Sequence, residues 1–350
     1  MSETGKIRVG GLTLDNELWL APLAGVTAPP VRQFFSQLGA GLTHTEMISC
    51  MGLVRGNRRT GEMLRILPGE GPVVLQLFCG DADTMVKGGE AALEWSSALS
   101  SAAPSSIASL SRPSPRRFAA LGINMACPMP KVTKSGAGAA LLEAPETAFR
   151  MTRGLKALGY PVWLKIRQIR QINHSGKDAE ETLRFVEGLI EAGGDNVCIH
   201  GRTPAQRYEG RGDRTAIAAA AARFPGKISA SGDVYTVEDV LEYLHMGCVG
   251  VMLARGALAN PYLFPQALHA LGRKTRGSAS PTMEQQVERL RALGNDARDV
   301  CGPRLAVVLL KRLAGGVLRG MPGAADLRRR LGETTNLEGL LEILRESSSA

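Results

Sequence analysis

No segment of this sequence approaches the roughly 18 consecutive apolar residues that a membrane-spanning helix needs. Its first ten residues, MSETGKIRVG, lack the apolar core of a signal peptide, so a cytoplasmic protein with no membrane contact is expected. No Cys-x-x-Cys pair occurs among the six cysteines at 50, 79, 127, 198, 248 and 301. That excludes the usual zinc frameworks, and a disulfide scaffold does not suit a cytosolic chain of this size, so no metal is expected. No Gly-x-Gly-x-x-Gly follows a predicted strand, which argues against a dinucleotide fingerprint. What remains is a 350-residue chain, 44% hydrophobic and 21% charged, able to bury a large core. If a cysteine matters here, it is as a lone thiol.

The net charge is +9, which favours a polyanionic partner. From Leu271 to the end there are 14 basic and 9 acidic side chains, so over half of the excess sits in less than a quarter of the chain. Many basic proteins bind no nucleic acid, and the pattern gains meaning only with the motifs below.

Short β-branched-rich runs recur at Leu18–Leu23, Leu42–Met47, Val73–Phe78, Ala119–Met125, Val162–Ile166, Asn196–His200, Lys227–Ser231 and Val249–Leu253. Segments of helical period lie between them, for example Pro30–Leu38, Ala144–Leu158 and Val237–Met246. Eight βα units in about 250 residues give the count and size of a (β/α)8 TIM barrel, an α/β fold; an open doubly wound sheet is the alternative. Ser96–Arg117, with nine serines and three prolines, reads as an irregular insertion outside the barrel. Beyond Pro265 the pattern is helical throughout, over Met283–Ala297, Leu305–Leu318, Ala324–Leu331 and Leu337–Leu344. The expected division is a barrel over 1–265 and a small helical domain over 266–350.

In such a barrel the chemistry sits where strands end and βα loops begin. Those ends carry Pro22, Leu23 and Ala24, then Gln76, Lys165, His200, the Ser231-Gly232-Asp233 turn and the Ala254-Arg255-Gly256 turn. Glycines beside a helix start, with Arg255 as a charged donor, suit a phosphate after the seventh and eighth strands. Each of these has a plain structural reading as well. The two tripeptides are common turns, Gln76 suits a buried amide, and His200 suits a buried ring with its bonds satisfied. Lys165 is harder to explain that way, because an ammonium inside VWLKI is costly to bury unless it faces a site.

The most informative segment is INMACPMPKV, followed by GAGAALL. It sends Cys127 from the end of the fourth strand into a proline- and glycine-rich loop, read as a mobile lid. Cys198 and Cys248 sit in apolar context and read as core. With LAPLAGVT, VVLQLF, VWLKIR, IHGRTPAQRYEG, SGDV, MLARGALANP and the tail LRGMPGAADLRRRL, the chain resembles the tRNA-dihydrouridine synthases from about Leu18 to Leu344.

That resemblance implies an FMN-binding barrel, an RNA-binding helical tail and NADPH- or NADH-dependent reduction of a uridine in folded RNA, most simply tRNA. It implies that Pro22, Leu23 and Ala24 line the flavin, and that Gln76 and Lys165 contact its ring and ribityl chain. Ser231, Gly232, Asp233, Ala254 and Arg255 would hold the phosphate end. His200 would stand beside flavin or base, and Cys127 would protonate C5 as hydride reaches C6. A thiol with the reference pKa of about 8.5 is mostly protonated at neutral pH and can donate. No stable protein partner is implied. The sequence departs from the family pattern at Ala126, where glycine is frequent, at Ser231, where asparagine is frequent, and at Gly212-Asp213-Arg214, where Ala-Asp-Trp is typical. The alternatives are the same chemistry on ribosomal RNA, an FMN barrel reductase of a small pyrimidine or enone, and an idle RNA-binding protein.

Overall fold

A computed structural model describes residues 5–101, 118–170, 177–275, 278–320 and 323–348. A short antiparallel hairpin, β1 (Ile7–Val9) and β2 (Leu12–Leu14), precedes the main sheet. The sheet contains β3 (Leu18–Leu20), β4 (Thr43–His44), β5 (Ile48–Ser49), β6 (Val73–Phe78), β7 (Ala120–Met125), β8 (Val162–Arg167), β9 (Asn196–His200), β10 (Ile228–Ser231) and β11 (Val251–Leu253). All its pairings are parallel, in the order β3-β11-β10-β9-β8-β7-β6-β4, with β5 beside β6. The ring joins where Trp19 bridges Leu42 and Leu20 N–H donates to the Leu42 carbonyl at 2.9 Å. This is a barrel and not an open sheet.

Around it run α1 (Pro29–Gln37), α2 (Cys50–Val54), α3 (Arg58–Glu62), α4 (Ala82–Ser101), α5 (Pro130–Thr133), α6 (Pro145–Ala157), α7 (Lys177–Glu191), α8 (Thr215–Arg223), α9 (Val237–His245), α10 (Arg255–Ala259) and α11 (Leu263–Ala270). The serine-rich insertion begins as the end of α4, and its remainder, 102–117, lies outside the described residues. The strands read as continuous apolar runs because both faces are covered, one by helices and one by the barrel interior. Inside, Trp19 and Trp163 meet with ring centroids 4.9 Å apart, above a layer with Leu42, Val74, Ala120, Cys198 and Met252. The hairpin closes the N-terminal mouth. Gly10 and Gly11 take φ of +51° and +78° in its turn, and the Trp163 indole N–H donates to the Gly10 carbonyl at 3.1 Å.

The run read as one strand over Leu42–Met47 is broken. After β4 the chain leaves the sheet at Thr45-Glu46-Met47 and returns as β5. The hydroxyl of Thr45 accepts the Gln76 N–H at 3.0 Å and donates to the Glu46 carbonyl at 2.8 Å, which turns Glu46 and Met47 toward the mouth. His44, just before the break, is buried, and its Nδ1–H donates to the Leu20 carbonyl at 2.8 Å. Burial, with the Lys165 ammonium adding to it against the Leu20 bond, pushes the ring down to about 4. Between the unfolded value near 6.5 and about 4, the unfolded chain binds a proton that the folded chain refuses. Stability therefore falls as pH drops through that window, by about 3 kcal/mol from this ring. Urea unfolding at pH 7 and pH 4.5 checks this. His44→Asn, which keeps a donor toward Leu20, is expected to show a shallower loss than wild type.

The tail consists of α12 (Met283–Cys301), α13 (Pro303–Val317), α14 (Ala324–Glu333) and α15 (Leu337–Ser348). Thr282 and Gln285 form a capping box at the start of α12, and Gly302 with Pro303 turns the chain into α13. α12 packs on α1 and α13 on α10, and Leu290, Leu309, Leu313 and Val317 share one continuous apolar core with the barrel. α11 runs through the expected division at 265.

Candidate active site

The C-terminal ends of the strands enclose a cavity of about 710 Å³. Its walls include Pro22, Leu23 and Ala24 after β3, Cys127 after β7, Lys165 on β8 and His200 on β9. Ser231, Gly232 and Asp233 close it after β10, with Ala254 and Arg255 after β11. Of the residues expected from the sequence, Gln76 alone stands off the wall. It is buried behind it, and its Oε1 accepts the Asn124 Nδ2–H at 2.8 Å.

Asn124 was not assigned a role from the sequence, yet it shapes the cysteine turn. Its Oδ1 accepts the N–H groups of Ala126 at 3.2 Å and Cys127 at 3.0 Å. This side-chain turn ends β7 and aims Cys127 into the cavity, where the thiol is partly exposed. Cys50, Cys79, Cys198 and Cys248 are buried. Of the two glycines in the following loop, Gly138 is a close-contact position and Gly136 is not, while Gly80, after β6, packs against the loop from outside. A Cβ on Gly138, whose φ is +62°, would fall 2.7 Å from the Cys127 carbonyl oxygen, and one on Gly80 would fall 2.0 Å from that of Ser135. The Ala139 N–H donates to the Cys127 carbonyl at 2.9 Å, joining the end of this loop to the strand end.

Lys165 has no hydrogen-bonding or ionic partner among the described residues. Burial holds its pKa below the ordinary lysine value; the Cys198 thiol opposes that and the Arg167 charge adds to it. An unpaired cation in a concave apolar site is a receptor for an electron-rich ring or an anion. His200 is held far below its ordinary value by burial first, then by Lys165, Arg167, Arg202 and Arg255, so it is neutral at pH 7. Its Nδ1 accepts the Arg202 N–H at 3.2 Å, which leaves the proton on Nε2. Gly232, with φ of +109°, lies against this ring: a Cβ there would be 3.2 Å from Nε2.

Arg167 is a second residue that sequence reading passed over. Buried at the end of β8, it donates to the carbonyls of Ala126 (2.7 Å), Thr203 (3.0 Å) and Arg207 (2.8 Å). It ties the cysteine loop to the loop after β9. Asp233 already has protein partners: Arg202 forms an ion pair with it at 2.7 Å, Gly212 N–H donates at 2.8 Å, and Arg255 stands at 3.4 Å. Despite partial burial, these contacts hold its carboxyl below the usual range. At the rim, Met129, Tyr208 and Tyr235 are exposed, with the Arg255 guanidinium 5.1 Å from the Tyr208 ring centroid. Arg214, in the segment that departs from Ala-Asp-Trp, pairs with Asp239 at 2.7 Å and covers the Tyr243 ring at 4.7 Å.

Among solved structures, TcOYE with pHBA superposes with a TM-score of 0.55 at 13% identity, covering 76% of this chain and 92% of that one. At that identity the likeness concerns the barrel alone. The family model described as dihydrouridine synthase matches residues 19–98 and 105–349. The chain belongs to the dihydrouridine synthase family. It is 30% identical over 350 residues to tRNA-dihydrouridine synthase B of Pseudomonas syringae pv. tomato, covering 97% of this chain and 94% of the relative. It is 28% identical over 349 residues to the probable tRNA-dihydrouridine synthase of Treponema pallidum, covering 97% and 96%. The matched residues include those that wall the cavity, and the match extends through the helical tail.

Proposed function

We propose that this protein reduces uridine to 5,6-dihydrouridine in tRNA, with FMN as its cofactor and NADPH as reductant. The observation that carries the reading is the convergence on one cavity of a partly exposed thiol, Cys127, an unpaired ammonium, Lys165, and a neutral donor, His200. Membership of the dihydrouridine synthases and relatives named for tRNA support the substrate. FMN bound here would supply hydride to C6 of the uracil.

The residues divide the remaining work. Lys165 holds the electron-rich edge of the flavin or the charge that develops on the base. His200 offers its Nε2–H to the same region. Pro22, Leu23 and Ala24 cover the ring, and Gln76 acts through Asn124. Ser231, Gly232 and Ala254 give close backbone approach at the phosphate end. There Arg255 and the first-turn N–H groups of α10, which no helical carbonyl reaches, face an anion. Cys127 donates its S–H proton to C5. Tyr208 and Met129 at the rim offer faces to a base drawn out of the RNA stack. We assign catalysis to 1–265 and backbone binding chiefly to 266–350, where the charge excess lies.

Titration with FMN and with riboflavin, which lacks the phosphate, tests the cofactor end of this reading. Arg255→Ala is expected to raise the Kd for FMN about tenfold or more, as for loss of a charge-assisted hydrogen bond, and to leave riboflavin unchanged. Equal FMN affinity in the variant would remove Arg255 from the phosphate site. No helix among the described residues is long and apolar enough to cross a membrane.

A further inference from the structure

The tail helix α13 touches, on two sides, the elements that carry the cavity walls. Near its C-terminal end, Gly316 lies against α10, the element that begins with Arg255. A Cβ on Gly316 would fall 1.9 Å from the Leu258 carbonyl oxygen, which is backbone and cannot swing aside. The adjacent Gly315 has nothing within 4 Å of the same position. One helical turn earlier, Arg312 reaches the loop of the opposite wall. Its Nη1 donates to the carbonyl of Gly25, in the loop that carries Pro22, Leu23 and Ala24 into the cavity. Gly25 has φ of +68°, and its N–H donates to the carboxylate of Glu46, in the break between β4 and β5. The one glycine is therefore held from the tail on its carbonyl side and from the barrel on its amide side.

We propose that α13 is a strut for the flavin cavity: Gly316 sets the seat of α10 and so of Arg255, and Arg312 fixes the facing loop. The tail then does more than carry RNA-binding charge. It sets how the barrel holds its cofactor, and Gly316 and Arg312 are positioning residues. This rests on the FMN reading above.

The two contacts act on opposite ends of the cofactor, so they separate by ligand. In the full-length chain, Gly316→Ala is expected to raise the Kd for FMN about tenfold while changing that for riboflavin less than about twofold, because only the phosphate end moves. Gly315→Ala is expected to leave both unchanged. Arg312→Ala is expected to weaken both flavins together, by about threefold for an exposed charged contact, with Arg312→Lys recovering most of the loss. In the flavin-free chain, amide exchange at Gly25 and Val26 is expected to quicken in Arg312→Ala and not in Arg312→Lys.

A merely loosened fold would weaken both flavins equally in Gly316→Ala, and that result, or identity with Gly315→Ala, overturns the proposal. Unchanged flavin binding and unchanged exchange in Arg312→Ala overturn it too, and decide it should Gly316→Ala not fold. If the wild-type chain binds neither flavin, the FMN reading itself is wrong and the strut falls with it.

Discussion

Cys127→Ala is expected to fold, to bind FMN as wild type does and to be reduced by NADPH at the normal rate, yet to stall with RNA. The thiol is the partly exposed cysteine on the cavity wall, and its backbone is held by Asn124 and Ala139 through groups that alanine keeps. The substitution therefore removes a proton source and little else. Addition of hydride at C6 leaves negative charge on the uracil toward C5 and O4, and without a donor that charge persists. General acid catalysis contributes about 10²–10⁴-fold, and the single-turnover oxidation of reduced protein by unmodified tRNA is expected to slow by that factor. Cys198→Ala and Cys248→Ala, at buried positions, are expected to cost some stability through small cavities and to leave this rate alone. A wild-type rate in Cys127→Ala would assign the proton to water or another side chain.

Lys165→Met is expected to move activity and stability in opposite directions. In the folded chain this ammonium has no partner among the described residues, and burial holds its pKa below the ordinary value. An unpaired cation of this kind strains the empty fold and is relieved by an electron-rich ligand. Methionine fills the same space without the charge. The flavin-free variant is expected to melt at a higher temperature than wild type, while turnover falls about 10²–10³-fold, the usual cost of one lost electrostatic contact to developing charge. A variant that is less stable and equally active would show Lys165 to be a structural residue.

The parallel barrel was legible because its strands are buried on both sides and read as apolar runs, Val73–Phe78 most plainly. The N-terminal hairpin was passed over although Gly10-Gly11 between IRV and LTL is a turn signal of the expected kind. The break in Leu42–Met47 had no local signal. It depends on Thr45 bonding Gln76 and on Glu46 reaching Gly25, partners distant in sequence. The same cause hid Asn124 and Arg167. Both lie inside motifs that were singled out, but their work is to join loops: Asn124 to Gln76, and Arg167 to Ala126, Thr203 and Arg207. Lys165 was readable because an ammonium within the apolar run VWLKI is too costly to bury unless it faces a cavity. The contact of Gly138 with the Cys127 carbonyl was not readable, since a sequence does not distinguish a glycine that permits motion from one that permits contact.

Reduction of a tRNA uridine in this cavity, as proposed, can be measured on the RNA itself. The direct measurement incubates the FMN-loaded protein and NADPH with unmodified tRNA, then maps nucleoside masses along the RNA. The expected product is a uridine heavier by two hydrogens at a defined position, formed by wild type and lost in Cys127→Ala. NADPH consumed with no change in the tRNA, while a free pyrimidine or enone is reduced, would contradict it.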